Sequence, residues 1–141
     1  MIVAAPVRRS RAAYYARMRI AFQTFAALAA LLHVAIFFME SVFWTKPQIY
    51  KRFGVRSADE AVVIKPMAYN QGFYNLFLAV GVFAGLAAPG TSGELVAVFA
   101  LSCIVGAAFV LASTGLSHLR AAVSQGLFAA AALALWAVLP A

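Results

Sequence analysis

Acidic residues are scarce in this chain: four Asp and Glu stand against eleven Lys and Arg in 141 residues, and charged residues make up only 11% of it. Soluble domains draw about a quarter of their residues from the charged set, so an ordinary water-soluble fold is the first class to be excluded. Cysteine is almost missing as well. Cys103 stands alone in an apolar run, which rules out an internal disulfide and says nothing about redox compartment. Two histidines at different depths, His33 and His118, with one cysteine and one carboxylate inside an apolar segment make no metal shell. There is no phosphate-cradling glycine loop, no dinucleotide fingerprint and no serine-histidine-acid arrangement, so neither a metal nor a cofactor is expected.

What the chain has instead is apolar length. Hydrophobic residues make up 65% of it, and four stretches reach the roughly 20 residues that cross a bilayer. They are Ile20 to Phe43, Met67 to Ala88, Leu95 to Ser113 and Ala121 to Leu139. The first has too long an apolar core, and lacks the small-residue cleavage site, for a removable signal peptide. The expectation is an all-α membrane protein, an antiparallel bundle of four transmembrane helices over 20–141, preceded by a basic amino-terminal tail over 1–19.

The long connection from Trp44 to Pro66 should lie on the bilayer as a cover. Ser57 followed by Glu60 is a capping-box pattern, which predicts an interfacial helix that kinks at Pro66 into the second span. Trp44, Tyr50 and Phe53 among Lys46, Lys51 and Arg52 suit the headgroup layer.

The net charge of +7 does not call for nucleic acid. The basic residues sit in two clusters beside apolar runs, with Arg120 apart, as expected for anionic lipid headgroups and for loop charges that orient a membrane protein. Five arginines in the tail and five basic residues in the long loop nearly cancel in that respect. Met18-Arg19 is an alternative start, which would favour a cytoplasmic loop with both termini outside.

Depth follows from the ~1.5 Å rise per residue. With Trp44 and Met67 at the loop-side interface, Glu40 lies ~6 Å deep and His33 ~16 Å deep. On the second helix Asn70 and Gln71 lie at ~5 to 6 Å and Tyr74 and Asn75 at ~10 to 12 Å, while Gln125 on the last helix is at ~6 Å. The polar groups thus gather in one leaflet, the other being almost purely apolar. Ionisable groups in hydrocarbon cost on the order of 3 kcal/mol and turn inward to find partners. His33, Phe37, Glu40 and Trp44 share a helical face, but ~10 Å of rise separates His33 from Glu40, so other groups must bridge them.

The segments HVAIFFMESVFW, NQGFYNLFLAVG and SQGLFAAAALAL resemble the bacterial membrane family described as domain of unknown function 1304, over roughly Met18 to the end. The carried-over positions are His33, Glu40, Trp44, Asn70, Gln71, Gly72, Tyr74, Asn75, Gln125 and Gly126. The family often has proline after the last Gln-Gly. Here Leu127-Phe128 stands instead, which removes the reason for a kink there. The resemblance implies a multi-pass protein of the bacterial inner membrane and no particular reaction.

Three readings compete. In the first, a lipid-like or isoprenoid amphiphile binds with its head near Trp44, Asn70, Gln71, Tyr74, Asn75 and Gln125, with His33 and Glu40 as an acid and base for proton-transfer isomerisation. In the second, Glu40 and His33 serve proton-coupled transport. In the third, the chain is a small accessory or assembly subunit whose His, amides and glutamate are interhelical glue. Gly81 with Gly85, and Ser102 with Gly106, read as close-packing surfaces, a homodimer through Gly81 and Gly85 being the minor alternative. Membrane lipids are the other expected partners.

Overall fold

The computed structural model describes residues 5–140, with side chains from Arg11 onward, so the side chains of Arg8 and Arg9 in the basic tail lie outside the described residues. The described chain is helical throughout, without strands. Five α-helices follow one another: α1 Ala5–Phe37, α2 Pro47–Tyr50, α3 Ala58–Ala87, α4 Gly90–Ser113 and α5 Leu119–Trp136. A π-helical turn, Phe38–Val42, extends α1, and 3-10 turns at Lys51–Phe53 and Leu116–His118 follow α2 and precede α5.

The four long helices form a ring. α1 packs on α3 and α5, and α4 packs on the same two. Its core is mainly alanine, Ala26, Ala29 and Ala30 of α1 meeting Ala79, Ala129 and Ala132, with Phe22, Val82, Leu101 and Ile104 as the larger members. Small side chains let helix axes approach, and the outer faces carry the bulk: Phe99 is 71% exposed and Phe109 73%. In a membrane bundle this distribution is expected, because lipid tails are as apolar as the core and packing rewards close backbones.

Three helical stretches are long and apolar enough to cross a membrane: Arg11–Val42, Gly90–Ser113 and Leu116–Trp136. The expectation of four counts α3 as well, which is not among these three. α3 has the length, but Asn70, Gln71 and Asn75 dilute its apolar run.

The helix expected to start at Ser57 is present, as the first part of a longer helix and not as a separate element. Half of the capping box forms: Ser57 Oγ accepts the Glu60 N–H at 3.1 Å, while Glu60 Oε2 reaches back one residue beyond the cap to accept the Arg56 N–H at 2.9 Å. The helix it starts is α3 itself, which continues past Pro66. Proline there leaves the Val62 carbonyl without its helical donor, and Val62 is on the exposed face. Before it, the chain makes only the single turn of α2, started by Pro47 and closed by Gly54 at φ +83°.

Trp44 and Tyr50 are turned into the protein rather than outward to a headgroup layer. They are 4% and 5% exposed and form a second small core with Val55, Ala61 and Ala68. The Trp44 indole N–H donates to the Ala61 carbonyl at 2.8 Å. Phe53 stays exposed against the Trp44 ring, with centroids 5.5 Å apart, and Lys46 sits 4.4 Å from the Phe43 ring centre. Burying an indole requires a partner for its N–H, and the first turn of α3 supplies one.

The end away from the loop is not purely apolar. Glu94, at the start of α4, takes Arg19 of α1 on one carboxylate oxygen and the Trp136 indole N–H of α5 on the other, each at 2.7 Å. One carboxylate therefore ties three helices, including the α1–α4 diagonal that touches little elsewhere. Arg19 is half exposed, so the ion pair is partly screened and the indole bond carries most of the stabilisation. Glu94→Ala is expected to lose roughly 2 kcal/mol, with Glu94→Gln between it and the parent, measured as thermal unfolding in detergent.

Glycine spacing is realised unevenly. A Cβ on Gly81 would meet Ala100 Cβ at 3.2 Å, and one on Gly85 would run into the α4 backbone, so this face is occupied by α4 of the same chain. The Ser102 and Gly106 pair is not a packing surface: a Cβ on Gly106 would meet nothing within 4 Å, and the Ser102 hydroxyl bonds its own helix at Val98.

Candidate functional site

The polar residues of the loop-side half divide into a paired group, a solitary histidine and a set that faces outward. The paired group is made by the π turn. Its closing bond runs from the Phe43 N–H to the Phe38 carbonyl at 2.8 Å, five residues back, so one residue more than an α-turn holds is fitted in. The helical rhythm linking His33, Phe37, Glu40 and Trp44 therefore breaks after Phe37, and Trp44 leaves the helix altogether.

The widened turn sets two side chains against α3. Ser41 Oγ donates to the Tyr69 carbonyl at 2.9 Å, a close approach that Gly72 permits because any Cβ there would strike Ser41. Glu40 Oε2 accepts from Asn75 Nδ2 at 2.9 Å, and the same Nδ2 reaches the Gln71 carbonyl at 3.0 Å. Phe37 and Phe73 close the contact edge to face, with centroids 5.2 Å apart. The arrangement holds one half-buried carboxylate on an amide, with its Oε1 taking no hydrogen bond from the described residues.

His33 belongs to a different place. It is fully buried, and its Nδ1 pairs with the Ala29 carbonyl at 2.8 Å. Its Nε2 has no partner among the described residues. The expected bridge from His33 to Glu40 is thus absent as a set of protein hydrogen bonds: Asn75 holds Glu40 and nothing carries on to the imidazole.

The remaining candidates disperse. Asn70 and Gln71 are exposed, Gln125 is half-buried with no side-chain hydrogen bond among the described residues, and Trp44 is spent on the second core. Tyr74 is 54% exposed on another flank of α3 from Asn75, since one residue is ~100° around a helix. There it heads an apolar groove of about 320 Å³ between α3 and α4, lined by Phe77 and Gly81 on one side and by Val96, Phe99 and Cys103 on the other. No cluster of three or more His, Cys, Asp or Glu able to hold a metal exists among the described residues.

Two polar residues are missing from the sequence reading, Ser41 in this region and Glu94 at the opposite end of the bundle. Ser41 was passed over because a lone serine in an apolar helix carries no signal without its partner Gly72. Glu94 lies only four residues beyond Gly90 and reads as part of a turn, although a carboxylate opposite Arg19 and Trp136 at matched depth was available to the same depth arithmetic.

Neither curated proteins nor solved structures give a significant match to this chain. A family model does: residues 27–137, which include the π turn, the Glu40 and Asn75 pair, His33 and the groove, match the family described as protein of unknown function (DUF1304), and the chain belongs to that family.

Proposed function

We propose that the chain is an integral protein of the bacterial inner membrane, its four long helices an antiparallel transmembrane bundle, and that it binds an amphipathic lipid-like or isoprenoid molecule. The observation that carries this reading is the groove between α3 and α4, whose lining is apolar except at Tyr74 and Cys103. The groove is an open furrow on the outside of the bundle and not an enclosed cavity, so part of an acyl or prenyl chain would lie along it with one side uncovered. The Tyr74 hydroxyl, on the loop-side half of α3, is the polar group available to the head of such a molecule. The isomerisation version asks His33 and Glu40 to act on one molecule. Their separate partners argue against that, so the reading is of binding without assigned chemistry.

The assembly-subunit reading has its own support. Glu40 with Asn75, Ser41 with Tyr69 and Trp44 with Ala61 all use polar groups to join segments of this chain to one another.

Native mass spectrometry of the full chain separates the two. Wild type should retain a defined amphiphile that Cys103→Phe, which fills the groove, loses at unchanged melting temperature. Bulk lipid alone on both proteins sinks the binding reading. If in addition Glu40→Gln only lowers stability, the assembly reading takes its place.

A further inference from the structure

The Nε2 of His33 poses a problem that the groove does not touch. A carbonyl oxygen only accepts, so the 2.8 Å contact with Ala29 requires the proton on Nδ1. Nε2 then presents a bare lone pair inside the bundle, at 0% residue exposure. An unpaired buried acceptor costs about 1 to 3 kcal/mol, and in hydrocarbon no bulk solvent relieves it. No described residue donates to Nε2, and the core cluster of the bundle is largely methyl groups, among them Ala29 and Ala30 on α1, Ala79 on α3 and Ala129 on α5. None of these side chains can donate.

The donor must be small and come from outside the protein. A metal ion would need further ligands, and no group of three or more His, Cys, Asp or Glu that could supply them exists among the described residues. We propose that His33 Nε2 accepts a hydrogen bond from a water molecule, the inner end of a short file of waters that enters at Glu40 and Asn75. A buried water needs two to four polar partners. One here is Nε2, and the next is another water leading toward the loop side. The rise from His33 to Glu40 is at most ~10 Å along the helix and shorter through the π turn, so a few waters at hydrogen-bond spacing would cover it. At the outer end Glu40 is half-buried and keeps Oε1 free to accept, while Asn75 already holds Oε2. The π turn has a role in this path, since it is what brings Glu40 against Asn75. The proposal stands independently of the groove.

Solid-state nitrogen NMR tests it on the full chain with ¹⁵N-histidine, in liposomes of perdeuterated phosphatidylcholine. The exposed His118, paired with Thr114 at 2.8 Å, is removed as His118→Gln so that one ring is observed. The expected spectrum has a protonated Nδ1, an unprotonated Nε2 shifted upfield from the free lone-pair position, and a correlation from Nε2 to water protons. A ring protonated at Nε2 instead, or an Nε2 with no water correlation, overturns the hydration site. In Asn75→Leu the water correlation should weaken severalfold while the melting temperature shows the protein still folded. An unchanged correlation in that folded variant overturns entry from the Glu40 end.

Discussion

Gly85→Ala is expected to destabilise the bundle by about 3 kcal/mol or more. The added Cβ would strike the Ala97 backbone nitrogen, with Ala97 Cα at 2.8 Å and the Gly93 carbonyl oxygen at 2.7 Å. All three are main-chain atoms of α4. A side chain can rotate away from an intruder, whereas here the helix axes themselves must separate, and the α3–α4 contact opens along its length. The control is Gly106→Ala. With nothing within 4 Å of the new Cβ, it should gain the roughly 0.5 to 1 kcal/mol by which alanine exceeds glycine in a helix interior. Thermal unfolding of both in one detergent gives opposite signs. A Gly85→Ala protein as stable as the parent would mean that α3 and α4 are not in this contact.

Trp44→Ala should have an effect of similar size in a different place. Removing a buried tryptophan costs about 3 to 5 kcal/mol, and here the loss falls on the small core of Tyr50, Val55, Ala61 and Ala68 rather than on the alanine core of the bundle. The expected result is local: rapid proteolysis and hydrogen exchange between Lys46 and Arg56, with the long helices still protected. Trp44→Phe keeps much of the packing and deletes the bond to the Ala61 carbonyl, at roughly 1 to 2 kcal/mol. If Trp44→Ala exchanges no faster in that loop than the parent does, the side chain is not buried there and the headgroup placement returns.

These two residues also mark where sequence stops being sufficient. The long helices were legible because an apolar run of bilayer length has few other uses, and the capping box because its bonds lie within four residues. Depth arithmetic gathered Glu40 and Asn75 in one leaflet but set Asn75 ~4 to 6 Å deeper, level with Tyr74, so it did not single out the pair that the hydrogen bond joins. It could not place Tyr74, since depth is blind to the ~100° turn that separates neighbours on a helix. Trp44 was misplaced for a related reason: a tryptophan near a span end fits a headgroup layer and a buried core equally well, and only Ala61, 17 residues away, decides. The π turn was invisible because its visible cause is a long-range contact, Ser41 entering the gap at Gly72. Gly106 shows the converse, a spacing pattern without a neighbour to pack against.

The carboxylate that ties three helices sits at one end of α1, and the carboxylate of the π turn at the other. From Arg19, which Glu94 holds, to Glu40 is about 31 Å along the helix, while the hydrocarbon of a typical bilayer is about 30 Å thick. The two polar fastenings work as the stops of a caliper. A thicker membrane would drag one of them into hydrocarbon, and because mismatch costs fractions of a kcal/mol for each ångström, the molecule should sort toward membranes of its own gauge. In the proposed transmembrane bundle, the places where these two acids are held would act together with the apolar length between them in setting the fit to a bilayer.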